Sequence, residues 1–262
     1  MTANLPSHLH YIHTGHSGSP PVVLVHPIGL DLTYWADQIE ALCDDFDVIA
    51  YDIAGHGASA PSPSDYSLRA LSGHLGDLIV GIGAGPAVVV GLSVGGMLAQ
   101  QLACVSPQLV RALVLMDTAC TFSDAARTNI EARGRLTIEG GMEAIVAPTL
   151  DRWFTPFFQQ RRPDVLDRVR RTLLQADAHV HAAMWGGIAK LDLAEAIRVV
   201  RCPALVLVGE DDPTTPVSAS KAICENMASA RLQIVPGASH LPTLERPAEV
   251  NRHILSFLRS IA

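Results

Sequence analysis

Short aliphatic runs recur along the chain, and longer segments between them repeat apolar residues every three or four positions. Such runs predict the buried strands of a parallel sheet. They cover residues 22–26, 48–52, 87–91, 112–116, 204–208 and 231–236, and a short first strand is expected at 10–12. Strands that alternate with helices predict the α/β class, a doubly wound and mostly parallel sheet with helices on both faces.

Helical periodicity marks the connections between these strands. Trp35, Ile39 and Leu42 share one helical face, and Leu71, Leu75 and Leu78 share another. A last helix is expected at residues 247–258, where a proline occupies the first turn. These segments supply the apolar faces that would cover the sheet.

The alternation stops between residues 121 and 190, where the pattern predicts only helices. They are expected at residues 125–137, 142–150, 163–176 and 179–189. We therefore predict an α/β core from residues 1–120 and 191–262, with residues 121–190 inserted as a helical lid or cap. Ligands bind at the carboxyl ends of such strands, so the insertion is expected to cover the site.

Composition narrows the range of partners. The chain has 262 residues, 48% of them hydrophobic, and a net charge of −7, which suits one large domain and disfavours nucleic acid. We expect no signal peptide, because the N-terminus has no basic n-region and no apolar h-region. We expect no membrane segment, because no apolar stretch reaches about 20 residues. Five dispersed cysteines favour reduced thiols and a cytoplasmic location. Self-association into a homo-oligomer is left open.

A candidate nucleophile follows the strand predicted at residues 87–91. Gly91 and Gly95 flank Ser93 in the pattern Gly-x-Ser-x-Gly, and a helical pattern comes next. A strand, this motif and a helix together predict a nucleophile elbow, in which a strained serine is exposed on a tight turn. The segment makes a serine hydrolase the leading hypothesis.

A serine nucleophile needs a base and an acid that orients the base. His240 follows the last predicted strand, and Asp212 follows the strand before it. The order serine, acid, histidine is that of the α/β hydrolases. Asp211 is the alternative acid, and Asp117, after the strand at 112–116, is a third candidate.

An oxyanion hole needs two backbone N–H donors. One is expected at Val94, directly after the nucleophile. The loop after the first long strand should supply the other, and because Pro27 has no N–H we choose Ile28 over Gly29. His26 is expected to brace this loop rather than to act as a base.

Apolar residues near these loops are candidates for the substrate pocket. We assign this role to Leu30, Trp35, Trp153 and Trp185, with core packing as the alternative. No metal and no organic cofactor is expected. His179 and His181 have no third ligand at a suitable spacing.

The combination of these motifs resembles the α/β-hydrolase superfamily over nearly the whole chain. Within it, the chain looks most like the 3-oxoadipate enol-lactone hydrolases. The similar stretches are residues 29–35, 113–119 and 152–155. Pro27, Ala54 and Val94 depart from the residues usual in that family. These departures leave the triad intact, but they weaken the inference about the particular substrate.

The resemblance implies hydrolysis of a small ester or lactone through an acyl-enzyme. Alternatives are a C–C bond hydrolase of ring-fission products, a cofactor-free haloperoxidase or perhydrolase, and a non-catalytic ligand receptor on the same scaffold. Residues 121–190 carry ten basic and eight acidic side chains, whereas the rest carries nine and eighteen. A relatively basic insertion favours an anionic substrate, and Arg133 and Arg135 are candidates to hold its carboxylate. The alternative for each arginine is exposure to solvent or pairing with Glu131 or Glu139.

Overall fold

Seven strands form a single sheet in the part of the chain that the structure describes. The computed structural model describes residues 8–16, 18–83 and 85–261. The N-terminal stretch in which no signal peptide is expected lies mostly outside the described residues. The strands are β1 (Tyr11–Gly15), β2 (Pro21–Val25), β3 (Asp47–Tyr51), β4 (Ala87–Leu92), β5 (Val110–Met116), β6 (Ala204–Gly209) and β7 (Ala230–Val235).

The strands lie in the order β1-β3-β2-β4-β5-β6-β7. Only β1 is antiparallel to its neighbour, β3. β4 is buried at every position, as both faces of a central strand must be when helices cover them. The predicted α/β class with a mostly parallel sheet is therefore confirmed.

Helices connect the strands. They are α1 (Ala36–Leu42), α2 (Leu68–Gly81), α3 (Val94–Val105), α4 (Asp124–Trp153), α5 (Pro156–Arg161), α6 (Pro163–Gln175), α7 (Ala178–Ala189), α8 (Val217–Asn226), α9 (Pro242–Glu245) and α10 (Pro247–Ser260). Short 3₁₀ turns cover Leu32–Trp35, Pro107–Leu109 and Ala196–Val199. In the described part of the chain, no helix combines the length and the apolar character needed to cross a bilayer.

The helices form two layers. α2 packs on α3, whereas α1 packs on α10. The chain moves in opposite directions from β2 to β3 and from β3 to β4, so right-handed connections place α1 and α2 on opposite faces. The sheet is thus covered on both sides.

The six main strands match the predictions to within two residues at each end, a difference expected from the way strand ends are defined. The first strand, expected at residues 10–12, is Tyr11–Gly15. α5, α8 and α9 were not predicted. α8 buries only Ser220 and Ile223, and so carries too weak an apolar stripe to be recognised in the sequence.

Four helices, α4 to α7, lie between β5 and β6. α4 packs against α6 and α7, and its backbone breaks at Gly141, where φ is 66°. The break separates the two helices predicted at residues 125–137 and 142–150. Glu245 ties the insertion to the body, because its carboxylate accepts bonds from the Thr155 N–H (2.8 Å) and hydroxyl (3.0 Å).

The topology creates a crevice at the carboxyl ends of β2 and β4. The chain leaves β2 towards β3 on one side, and leaves β4 towards β5 on the other. Loops that diverge in this way open a ligand site at the edge of the sheet. Ile28 and Ser93 both lie at this switch point, three residues after β2 and one residue after β4.

Glycines allow the backbone to close tightly at this point. A Cβ on Gly95 would lie 2.1 Å from the Val25 carbonyl oxygen, and one on Gly91 would lie 2.4 Å from the Gly95 carbonyl carbon. Both contacts are with backbone atoms, which a rotamer change cannot relieve. Any side chain at Gly95 must therefore push α3 away from β2.

We expect Gly95→Ala to lower the free energy of unfolding by about 3 kcal/mol or more, because the methyl group overlaps backbone. Gly73→Ala is the matched control: Gly73 lies in α2, and nothing is within 4 Å of its added Cβ. That change should raise stability by about 0.5–1 kcal/mol. Urea unfolding measures both values, and equal effects at the two sites would contradict the close contact.

Candidate active site

Ser93 stands on a strained turn between β4 and α3. Its φ of 56° and ψ of −119° are unusual for any residue other than glycine. The turn is held from both sides, because the Ser93 N–H donates to the Met116 carbonyl (2.9 Å) and the Thr118 hydroxyl donates to the Ser93 carbonyl (2.7 Å). These bonds fix a serine hydroxyl at the edge of the sheet in the predicted elbow geometry.

His240 is oriented by Asp212. The His240 Nδ1 lies 2.9 Å from Asp212 Oδ2, and both side chains are almost fully buried. Asp212 also accepts bonds from the Thr215 hydroxyl (2.8 Å) and the Thr214 N–H (2.7 Å). With Nδ1–H directed at the carboxylate, Nε2 is left to accept a proton. Asp211, the alternative acid, is exposed.

The environment keeps Asp212 ionised. Burial acts to raise the pKa of Asp212, but the charge of His240 and the bonds from His240, Thr215 and Thr214 outweigh it, so the pKa is lowered. A carboxylate in this state can orient the imidazole and stabilise the positive charge that forms on it.

Asp117, the third candidate acid, lies beside this pair. It follows β5, is fully buried, and accepts a bond from the Gly209 N–H (2.8 Å). Within the described residues, Asp117, Asp212 and His240 form a cluster whose potential metal-ligand atoms lie within 4.8 Å of one another. Burial first, and then the charge of Asp212, raise the pKa of Asp117 well above its ordinary value.

A cavity of about 160 Å³ connects Ser93 and His240. Ile28, Met97 and the loop residues from Pro213 to Thr215 form its wall on the side of the sheet. The other wall comes from the insertion: Phe122, Ala126, Asn129, Ile130, Arg133, Trp153, Trp185 and Ile188. Trp153 and Trp185, two of the four predicted pocket residues, thus line the cavity, and the Trp153 ring centroid is 6.1 Å from that of His240.

The other two predicted pocket residues lie elsewhere. Trp35 is fully buried and packs edge-on against Tyr34, with ring centroids 4.8 Å apart. Leu30 borders two separate depressions near α6 and does not line the cavity at Ser93. The chain turns into a 3₁₀ turn directly after the β2 loop, which carries Trp35 into the core and away from the crevice.

Two backbone N–H groups are placed to receive an oxyanion. Val94 begins α3, and the first N–H groups of a helix have no partner within it. Among the hydrogen bonds of the described residues, neither the Val94 N–H nor the Ile28 N–H has an acceptor. His26 braces the loop as expected: Nδ1 donates to the Pro27 carbonyl (2.8 Å), and Nε2 accepts from the Ile53 N–H (2.9 Å).

Arg133 brings positive charge to the cavity. Its guanidinium carbon lies 5.2 Å from the centroid of the Trp185 ring. Burial, followed by the nearby charge of Arg152, lowers the pKa of Arg133 to about 10. Among the ion pairs of the described residues, none includes Arg133. Arg135, the other candidate, is exposed and lies 4.0 Å from Glu131.

Comparisons with known proteins bear on the family and the fold of the chain. The sequence profile of the alpha/beta hydrolase family matches residues 22–253. The chain belongs to this family. It is 28% identical to 3-oxoadipate enol-lactonase 2 of Acinetobacter baylyi, over 96% of this chain and 93% of the relative.

Solved hydrolase structures superimpose closely on the chain. One is the enol-lactonase of Burkholderia xenovorans LB400, with a TM-score of 0.89, 29% identity and 96% of each chain covered. Another is a thermophilic esterase of Thermogutta terrifontis with malate bound, with a TM-score of 0.89 and 31% identity. It covers 97% of this chain and 93% of its own. The resemblance to enol-lactonases is thus confirmed, and ester hydrolysis is supported.

Some residues of the hydrolase site were not found from the sequence. Thr215 contacts both Asp212 Oδ2 (2.8 Å) and His240 Nδ1 (3.4 Å), and Asn129 lines the cavity. A threonine three residues after an aspartate favours a hydrogen-bonded turn, which was the available signal for Thr215. Asn129 lies on a helix with little amphipathic pattern, so nothing in the sequence directed attention to it.

Three buried histidines lie where the insertion meets the core. The His26 and His56 rings are 5.4 Å apart, and His181 of α7 approaches Gly29. Burial lowers the pKa of His181 to about 4. Burial also lowers the pKa of His56 to about 3, aided by the charges of His26 and His181. Each is therefore neutral at pH 7.

The low pKa of His181 should make stability depend on pH. Between pH 6.5 and 4 the unfolded chain binds a proton here that the folded chain does not, so stability falls as the pH falls. When the pH is lowered from 7 to 4.5, the unfolding free energy of both proteins should fall. The fall should be about 2 kcal/mol smaller in His181→Gln than in the native chain. The exposed neighbour His179→Gln is the control and should behave like the native chain. Urea unfolding at the two pH values tests this, and an unchanged loss in His181→Gln would refute it.

Proposed function

We propose that this hydrolase cleaves a small ester or lactone through a covalent acyl-enzyme on Ser93. The observation that carries the proposal is the shared cavity: it is lined both by the strained Ser93 and by a histidine whose Nδ1 is held by a buried carboxylate. His240 Nε2 takes the Ser93 hydroxyl proton as the oxygen attacks the carbonyl carbon. It then returns the proton to the leaving oxygen, and activates water for the second half.

The Val94 and Ile28 N–H groups stabilise the oxyanion of the tetrahedral intermediate in this mechanism. Their support is their position at the switch point and the lack of an acceptor for either in the described residues. Residues 121–190 act as a lid that keeps water from the acyl-enzyme, which is supported by the eight residues of this insertion that line the cavity.

The substrate is proposed to carry a carboxylate away from its reacting carbonyl. Arg133 is half-buried and has no acidic partner in the described residues. Burying its charge without a partner costs free energy, and a bound anion would offset that cost. Trp185 holds the Arg133 guanidinium beside the cavity, and Asn129 offers a neutral hydrogen-bonding amide nearby. The malate bound to the Thermogutta terrifontis esterase is a dicarboxylate, which further supports the proposal.

The nucleophile is tested with Ser93→Ala on a panel of p-nitrophenyl esters and small lactones, including 3-oxoadipate enol-lactone. We expect kcat/KM to fall about 10⁴-fold or more, and fluorophosphonate labelling of the native chain at Ser93 alone. Ser64→Ala, at an exposed serine, should retain native activity and labelling.

The same panel separates the remaining activities on this fold. Cleavage of a ring-fission diketone in preference to esters would identify a C–C hydrolase, and peracid formation from acetate and peroxide would identify a perhydrolase. Native protein that turns over no member and is not labelled at Ser93 would overturn the proposed function.

Arg133→Gln tests the anionic substrate. A charge-assisted hydrogen bond contributes about 1.5–3 kcal/mol, so KM for a dicarboxylic acid monoester should rise about 10-fold or more. KM for the neutral diester should change less than about threefold. Arg135→Gln is the matched control and should change neither, because Arg135 is exposed and does not line the cavity. Equal changes for both substrates in Arg133→Gln would reject a carboxylate-binding role.

A further inference from the structure

Asp117 occupies a costly position for a residue outside the proposed triad. It follows β5 directly, and its φ of 42° lies in the left-handed region that few side chains tolerate. Its N–H donates to the Leu207 carbonyl (2.9 Å), and its Oδ1 accepts from the Gly209 N–H (2.8 Å). The carboxyl group is thereby pinned to β6, the strand that leads into Asp212.

The second oxygen of this carboxyl group has no ordinary partner. Within the described residues, Asp117 Oδ2 is buried and accepts no hydrogen bond. A carboxylate oxygen of Asp117 nevertheless lies within 4.8 Å of both an Asp212 oxygen and a His240 nitrogen. Two buried carboxylates this close cannot both carry full charge at low cost, and one proton between them removes the conflict.

The groups around Asp117 favour this protonated form. Four titratable side chains face Asp117: Asp212 from the loop after β6, His240 from the loop after β7, Glu245 of α9, and Tyr34 of the 3₁₀ turn that precedes α1. Of these four only His240 can be positive, and its Nδ1 already binds Asp212. The raised pKa of Asp117 agrees with this geometry.

We propose that Asp117 is a neutral carboxylic acid that shares one proton with Asp212 and serves as a reserve acid for His240. In the native chain the Asp117 O–H donates to the Asp212 carboxylate, so the pair carries one negative charge. When Asp212 is removed, Asp117 releases this proton to solvent and its carboxylate accepts the His240 Nδ1–H. Asp117 is a positioning residue in this scheme, which rests on the proposed serine mechanism.

Asp117→Asn is the variant that isolates this role. Asparagine tolerates a left-handed backbone, its carbonyl oxygen can keep the bond from the Gly209 N–H, and its amide can still donate to Asp212. It cannot ionise. Asp211→Asn is the matched control, since Asp211 is the exposed sequence neighbour of Asp212.

The experiment is a double-mutant cycle that measures kcat/KM for the best ester of the panel. Asp212→Ala should lower kcat/KM about 10²-fold. A triad without a second acid would lose about 10⁴-fold instead. Asp117→Asn should lose about threefold in the native background and at least tenfold more than that in Asp212→Ala. Asp212→Asn is carried in parallel in case the alanine variant does not fold, as judged by circular dichroism.

Two results would overturn the reserve acid. One is a loss of kcat/KM on Asp117→Asn that is less than about tenfold larger in Asp212→Ala than in the native background. Independent residues would give the same loss in both backgrounds. The other is Asp212→Ala activity no higher than that of Ser93→Ala. Asp211→Asn should give the same factor in both backgrounds. Native activity no greater than that of Ser93→Ala would instead refute the serine mechanism, so the two failures are distinguishable.

The pH profile distinguishes a neutral Asp117 from an ionised one. If Asp117 is neutral, Asp117→Asn moves the acidic limb of kcat/KM by less than about half a unit. If Asp117 carried a charge, its loss would remove a favourable interaction with a positive imidazolium and move that limb by about 1 to 2 units towards acid. A shift above half a unit therefore overturns the shared proton.

Discussion

The constraint on which the site depends is the backbone contact between the turn at Ser93 and the end of β2. Because Gly95 lies against the Val25 carbonyl with no room for a Cβ, the start of α3 is pressed onto the neighbouring strand. This contact holds Ser93 in its left-handed conformation. It also places Gly95, the second residue of α3, beside the His26 carbonyl at the start of the loop that carries Ile28. The nucleophile and the proposed oxyanion donors are therefore fixed by one packing requirement.

Buried hydrogen bonds between separate elements make the rest of the site rigid. A buried polar group destabilises the fold unless it has a partner, so each such bond restricts where its element can lie. His26 joins the β2 loop to the β3 loop, Asp212 gathers the β6 and β7 loops, and Glu245 joins α9 to Thr155 in the insertion. Opening the insertion would expose the Glu245 carboxylate to solvent or leave it without its hydrogen-bond partners. That cost favours small movements of α4 and α7 over release of the whole segment.

Local patterns in the sequence were sufficient for the strands, the elbow and the residues at the carboxyl ends of the strands. They were insufficient wherever the outcome depended on which way a buried side chain faces. Trp35 and Trp153 look alike in the sequence, yet a 3₁₀ turn takes Trp35 into the core whereas the end of α4 brings Trp153 to the cavity. The pairing of Asp117 with Asp212 also depends on β5 lying beside β6, a long-range contact that no local spacing encodes.

Electrostatics limits which substrates suit the proposed mechanism. The cavity has a negative end, formed by Asp212 behind His240, and a positive side at Arg133, with apolar walls between them. Charges in such surroundings interact more strongly than in water. A substrate carboxylate is therefore attracted to Arg133 and repelled by Asp212. A substrate therefore binds best with its anionic group and its reacting carbonyl separated by an apolar spacer. In the proposed mechanism, contact between the substrate carboxylate and Arg133 would also fix the orientation of the carbonyl at Ser93, so part of the binding energy would appear as positioning and hence as rate.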